Sequence, residues 1–189
     1  MAIQVHGRMG FIEETGVAQL YRDIRIAPIY EGTNGIQAND LVGRKLMRDK
    51  GAAARDFIAG LRASDGDLAS SRGEDLSTIR AALAEGAAAL ARSTDWLIET
   101  HGTNPALALA GATPYLRLFG TVAGGWLMAM AALAALRQLN EDAGNKAFLT
   151  AKLASARFYA DNILVQAEGL AAQIMRGGPP VLSLAAELF

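Results

Sequence analysis

From residue 74 onward an apolar side chain recurs every three to four residues through three successive long runs, and few folds other than a bundle of long helices can bury such a pattern. The first run, 74–101, lines up Leu76, Ile79, Leu83, Ala87, Leu90, Thr94, Leu97 and Ile98. The second, 114–139, does so with Leu118, Val122, Trp126, Met130, Leu133 and Leu136. The third, 146–175, uses Leu149, Leu153, Ala156, Tyr159, Ile163, Gln166, Leu170 and Ile174. Residues 102–105 (Gly-Thr-Asn-Pro), the polar turn 140–145 and the Gly-Gly-Pro-Pro at 177–180 punctuate them. Abundant alanine favours helix and lets neighbouring helices approach closely. No β-rich segment competes. The predicted fold class is therefore all-α: a bundle of three main long helices with a shorter helical and loop portion at the N-terminus.

That N-terminal portion is less regular. Residues 1–6 read as the end of a helix already under way, as in a truncated chain or one that completes its fold with something else. Gly7-Arg8-Met9-Gly10 is a loop, and residues 12–23 form a short helix. A second helix starts at Thr33 or Asn34, with Ile36, Leu41, Val42 and Leu46 on one face and Arg44, Lys45 and Arg48 at its C-terminal end, where cations are favoured. A third covers 52–61. Residues 62–73 turn polar and small, the best internal boundary in the chain. Residues 182–189 make a docking tail or a frayed end.

Composition removes several function classes. With 18 basic and 19 acidic residues, net charge −1, there is no cationic face for nucleic acid. Cysteine is absent, which excludes thiolate metal sites and disulfides and fits a reducing, cytoplasmic compartment. His6 and His101 are too far apart in sequence to suggest a metal cluster, and read as packing or surface residues. No signal-peptide pattern opens the chain. Residues 118–136 carry no charge and are flanked by Arg117 and Arg137, which raises a membrane span. A buried helix of a soluble bundle is the preferred reading, because the run is rich in alanine and glycine and its neighbours are two-faced. Trp96, Trp126, Met128 and Met130 read as packing residues.

Chemistry concentrates in Arg25-Ile-Ala-Pro-Ile-Tyr-Glu-Gly-Thr-Asn-Gly-Ile-Gln37. Glu31 sits in an apolar setting before a glycine and a threonine. A desolvated carboxylate there would suit a general base. A solvated turn capped by Thr33 explains the same residues. From the residues alone both readings stand.

The stretch nevertheless closely resembles the C-terminal catalytic segment of the flavin-dependent acyl-CoA dehydrogenases. The match runs through Gln4-Val-His-Gly-Arg-Met-Gly-Phe-Ile-Glu-Glu-Thr-Gly16, Tyr21-Arg-Asp-Ile-Arg-Ile-Ala-Pro-Ile-Tyr-Glu-Gly-Thr-Asn-Gly-Ile-Gln37 and Asp40-Leu-Val-Gly-Arg-Lys45. The resemblance implies α,β-dehydrogenation of an acyl thioester, with Glu31 as the base that takes the Cα proton and FAD receiving hydride from Cβ. Gly32 then lies where backbone approaches substrate. Thr33 and Gln37 match residues near the flavin, and Gln4, Gly7 and Gly10 match a loop approaching the flavin of a neighbouring subunit. Arg8 replaces the second of a usual pair of glycines; it is harmless or helps neutralise a pyrophosphate if Gly7 keeps the critical dihedral, and weakens binding if a missing Cβ is needed. Arg22, Asp23 and Arg25 are expected in ion pairs.

Residues 70–180 are similar to the added helical C-terminal module of longer members, some of which act on methylthio-acyl thioesters. The implied division is 1–50, the end of the catalytic helical domain; 51–72, a short helix and linker; 73–181, the long-helix module; and 182–189, a tail. Expected partners are an acyl-CoA-like thioester, an electron-transfer acceptor, the family's N-terminal domains and, for an oligomer, further copies. The chain alone is expected to hold no FAD and to be inactive. The alternative is a non-catalytic helical interaction or assembly module.

Overall fold

The computed structural model describes residues 2–71 and 73–188, and among them every regular element is helical. In chain order the α-helices are α1 (Ala2–Val5), α2 (Val17–Arg25), α3 (Asn34–Asp40), α4 (Ala52–Ala63), α5 (Asp65–Ser70), α6 (Glu74–Thr103), α7 (Pro105–Ala110), α8 (Ala112–Asn140), α9 (Lys146–Asn162), α10 (Ala167–Arg176) and α11 (Gly178–Leu182). A π-helical stretch, Leu41–Leu46, continues from α3. The chain divides into two compact units after Gln37.

The larger unit is built around α6 and α8, which pack on each other and on α9 and α10. The α6 stripe behaves as its spacing predicts: Leu76, Ile79, Leu83, Ala87, Leu90, Thr94 and Leu97 are buried, with Ile98 partly so. On α8 the most buried line is Leu118, Val122, Gly125, Ala129 and Ala132, whereas Trp126, Met130 and Leu136 lie at its flanks. Size and depth part company here because the closest helix approach needs small side chains, and large ones fill the shoulders.

The third run is not one helix. It breaks after Asn162 into a 3₁₀ turn, Leu164–Gln166, before α10 resumes. Ala156 and Ala160 face inward before the break, and Leu164, Ala167, Leu170 and Ile174 after it. Gln166, expected on the inner face, is exposed and accepts from Arg117 Nη2 at 3.1 Å. Leu164 enters a slot whose walls are glycines. A Cβ on Gly125 would stand 2.9 Å from Leu164 Cδ2, and one on Gly86 would stand 3.0 Å from Leu164 Cδ1.

Two punctuation signals end one helix and start another. Asn104 accepts from Leu107 N at 3.1 Å and caps α7, while Gly177 ends α10 and α11 begins at Gly178. The polar stretch 62–73 is not open chain either: α5 lies inside it, with Leu68 buried against the core. Ser64 joins this corner to α8, since its Oγ accepts from Trp126 Nε1 at 2.9 Å and donates to the Leu61 carbonyl. Phe57 stacks on Phe119 with ring centroids 5.0 Å apart and meets Trp126 edge-on.

Helix α8 is long and apolar enough to cross a membrane. In this structure it is the shared neighbour of α6, α9 and α10, and its flanking Arg137 lies 3.9 Å from Asp67. Polar groups in the core are matched. Thr94 donates to the Leu90 carbonyl at 2.8 Å, so its single proton is taken, and the Tyr115 hydroxyl 2.8 Å away donates to Thr94 Oγ1. Burial pushes the Tyr115 phenol up to about 12, with the Thr94 bond opposing and nearby Asp95 adding to the rise.

Two predictions follow from this packing. Gly125→Ala is expected to destabilise the chain by about 1–3 kcal/mol despite alanine's helix propensity, and Leu164→Ala by about 2–5 kcal/mol. The double variant should lose less than the sum, by at least about 0.5 kcal/mol in urea unfolding. Strict additivity would mean that no such slot exists. Secondly, Thr94→Val strands the buried Tyr115 hydroxyl, a loss of about 1–3 kcal/mol, whereas Tyr115→Phe leaves Thr94 with Leu90 and is milder. Because the folded phenol ionises later than the unfolded one, Tyr115 contributes full stability below pH ~10. That contribution falls as pH rises from there toward the folded value of about 12. A pH series of unfolding curves should be flatter in that window for Tyr115→Phe.

Candidate functional site

In the first unit, α1 is followed by a 3₁₀ stretch, Gly7–Phe11, and a 3₁₀ turn, Glu13–Thr15, leads into α2. Gly7 has φ +56°, a left-handed conformation that favours glycine, and open space stands where its side chain would be. Gly10 is glycine for another reason: a Cβ there would overlap the Ile3 carbonyl. Arg8 is exposed and is not among the described residues with positive φ, so Gly7 alone carries the special dihedral. Gln4 is exposed on α1. This loop therefore presents backbone and the Arg8 cation to solvent, with the Gln4 amide exposed on the helix before it.

Helix α2 is anchored from outside itself. The Arg22 guanidinium grips Glu13 with two bonds of 2.7 and 2.8 Å, and those bonds hold the Glu13 carboxyl below its ordinary range. The sequence had marked Arg22 for an ion pair, but the acid nine residues earlier was not singled out. Among the described residues Arg25 finds no acid; its guanidinium lies 5.9 Å from the Tyr21 ring centroid, one helical turn back.

The chain then bends through residues 26–33 into α3. Glu31 has φ +54° and Gly32 φ +101°. A left-handed glutamate is uncommon, so something must hold it. That something is Gln37, whose Nε2 donates to the Glu31 carbonyl at 2.6 Å. The Gln37 amide nitrogen donates to the Thr33 carbonyl at 2.9 Å, so the first turn of α3 places the glutamine under the bend. The Thr33 hydroxyl is a weak cap, accepting from Ile36 N at 3.5 Å. Gly32 fits tightly: a Cβ would stand 3.0 Å from Ile36 Cγ2. Glu31, Gly32, Thr33 and Gln37 are thus brought together in one bend. The expected apolar burial of Glu31 is absent within this chain, for Glu31, Ile29 and Tyr30 are all exposed. Gln37 as clamp of the carboxylate's backbone was the role that sequence reasoning missed; the spacing of six residues across a Gly-Thr turn was the available signal.

Among residues 2–37 only Gly10, Val17 and Ala18 are buried. Leu20 and Ile24, one turn apart on α2, are 70% and 66% exposed, and Phe11 is 82% exposed. Three large apolar side chains thus stand open to solvent within this chain. No group of three or more metal-ligating side chains occurs among the described residues.

Comparison with known proteins gives these features a context. The family described as "Acyl-CoA dehydrogenase, C-terminal domain" matches residues 1–46, and the one described as "Acetyl-CoA dehydrogenase C-terminal like" matches residues 51–185. The chain is 46% identical over 183 residues to a 3-methylmercaptopropionyl-CoA dehydrogenase of Ruegeria pomeroyi, with 97% of this chain and 31% of that protein covered. It is 33% identical to a butyryl-CoA dehydrogenase of Syntrophomonas wolfei, covering 89% of this chain and 28% of the relative. It is also 33% identical to a broad-specificity linear acyl-CoA dehydrogenase of Mycobacterium tuberculosis, covering 86% and 28%. The chain spans less than a third of the length of these relatives. With one family description covering 51–185 and the other 1–46, the chain belongs to the acyl-CoA dehydrogenase family and corresponds to its C-terminal part.

Proposed function

We propose that this chain works within an FAD-dependent acyl-CoA dehydrogenase, where the Glu31 carboxylate takes the proton from Cα of an acyl thioester. The observation that carries the reading is the left-handed bend at Glu31 and Gly32, locked from below by Gln37. A base for so weak an acid must be aimed before it reacts. Clamping the carbonyl of Glu31 fixes where its side chain leaves the backbone, and Gly32 takes the second left-handed position of the bend, where Ile36 leaves little room for a Cβ.

Gln4, Gly7, Gly10, Thr33 and Gln37 are the residues assigned to the cofactor. Thr33 and Gln37 would line the flavin's cradle, and Gln4, Gly7 and Gly10 would belong to a loop toward the flavin of a neighbouring subunit: Gly7 opens onto free space, the Gln4 and Thr33 side chains are exposed, and Arg8 adds a cation to that loop. When bound, FAD supplies the acceptor for the hydride leaving Cβ. The chain's own task is to hold the cradle, exclude bulk at Gly32 and receive the proton on Glu31. The exposed apolar face of α2 supports a requirement for the family's other domains, which would desolvate Glu31 and complete the thioester pocket. Residues 1–50 would close the catalytic helical domain and 73–181 would be an added module, in a cytoplasmic and oligomeric enzyme that passes electrons to a separate acceptor. Alone, the chain is expected to bind no flavin and turn over no thioester. A second reading, a helical assembly module without catalysis, is favoured by one fact: residues 38–188 have a complete core that includes none of the candidate site residues.

A chimera tests these readings, with this chain replacing the matching C-terminal part of the Ruegeria relative. It is expected to carry flavin and dehydrogenate a thioester, and Glu31→Gln should lower turnover by about 10²-fold or more while the flavin absorbance stays. Unchanged turnover in Glu31→Gln would move the base elsewhere. Gln37→Leu should depress kcat more than it raises KM, as loss of aim requires; a pure KM effect would make Gln37 a ligand contact only.

A further inference from the structure

The Gln37 amide has two ends, and the bend uses one of them. Nε2 donates to the Glu31 carbonyl at 2.6 Å. The same nitrogen lies against Gly32, 3.6 Å from where a Cβ on that residue would stand. A carbonyl oxygen can only accept, so the nitrogen end must face the bend and the oxygen end must face away from it. Among the described residues no donor bonds Gln37 Oε1. Gln37 is half-buried, and its neighbours Thr33, Asn34 and Ile36 are exposed. One acceptor of fixed polarity is therefore left over, on the residue that holds Glu31. A single hydrogen bond does little more than balance a left-handed glutamate, so a second hold on this amide decides how fully the bend is populated.

We propose, resting on the reading of Glu31 as the base and Gln37 as a cofactor residue, that Gln37 couples cofactor occupancy to the aim of the base. With its nitrogen committed, Gln37 has only an acceptor to offer FAD, so it meets an N–H of the flavin ring or a hydroxyl of its side chain. The amide cannot turn over to suit one partner without deserting the other. Turned, it would set its oxygen against the Glu31 carbonyl and its nitrogen against the flavin donor. Each contact thus holds the amide in the orientation the other needs. By linkage, whatever FAD adds to the lock on Glu31, the lock returns to the binding of FAD. Gln37 acts here as a positioning residue, through the backbone of Glu31.

The chimera described above tests this, with its FAD removed and then restored. Amide exchange of residues 29–33 is followed by mass spectrometry, and FAD affinity by flavin fluorescence. FAD is expected to slow exchange of that segment. Gln37→Leu, which has neither polar end, should lose most of the slowing and bind FAD about tenfold more weakly, the scale of one hydrogen bond. Gln37→Glu keeps an acceptor but has no N–H for the Glu31 carbonyl. It should hold FAD about tenfold more tightly than Gln37→Leu while its segment exchanges as fast, with circular dichroism showing that both variants are folded. Equal FAD affinity in the two variants, or undiminished slowing in Gln37→Leu, would overturn the coupling and leave Glu31 as the base. A chimera that takes up no FAD would overturn the functional reading and the coupling together.

Discussion

The bundle depends on a side chain seated between two glycines. Leu164 is where the third run, α6 and α8 meet, and it can be there only because Gly86 and Gly125 present bare backbone to it. A leucine buried this way is worth about 2–3 kcal/mol of transfer free energy, and two missing β-carbons set how closely the helices approach. The same economy of size runs along the contact, with Ala87, Ala129, Ala132, Ala156 and Ala160 buried beside it. Ion pairs such as Arg92–Glu168 and Arg157–Asp75 tie the same helices at the surface, but pairs open to water are screened and contribute little. Packing therefore decides the arrangement, and charge trims it.

That balance explains what could be read from sequence. The stripe of α6 was legible because large apolar residues and depth coincide along it. On α8 they do not, and a reading that follows bulk selects Trp126 and Met130 over Gly125 and Ala129. The break at Leu164 was invisible for a related reason. Nothing in Ala160-Asp-Asn-Ile-Leu-Val-Gln166 forbids helix; the turn forms because it delivers Leu164 to a slot made by residues about 40 and 80 positions away. Likewise Asp65–Ser70 carries turn-forming residues, yet the burial of Leu68 and the Arg80–Asp65 pair hold it helical. Tertiary contact overrides weak local preference in each case.

The candidate site was legible in a different manner. Its residue types and their spacing marked Glu31, Gly32, Thr33 and Gln37, and the structure gathers all four in one bend. Hydrogen-bond partners were not legible. Gln37 was singled out for a cofactor, but within the chain its amide holds the backbone of Glu31. Nor was burial within the chain legible. Ile29 and Tyr30 promise an apolar setting in sequence, but they face solvent together with the carboxylate. An apolar neighbour in the chain desolvates a charge only if something packs over both.

Energetics make that last point sharper. A left-handed conformation at a residue with a β-carbon costs about 1–2 kcal/mol, and one intramolecular hydrogen bond returns about 0.5–1.5 kcal/mol net. The bend at Glu31 therefore comes out near zero, held by Gln37 but not deepened by it. With Val17 and Ala18 as nearly all its buried apolar residues, the segment 2–37 has little else to draw on. Covering Leu20, Ile24 and Phe11 would remove several large apolar side chains from water, each worth about 1.5–3 kcal/mol when fully buried. That sum exceeds the strain in the bend several times over.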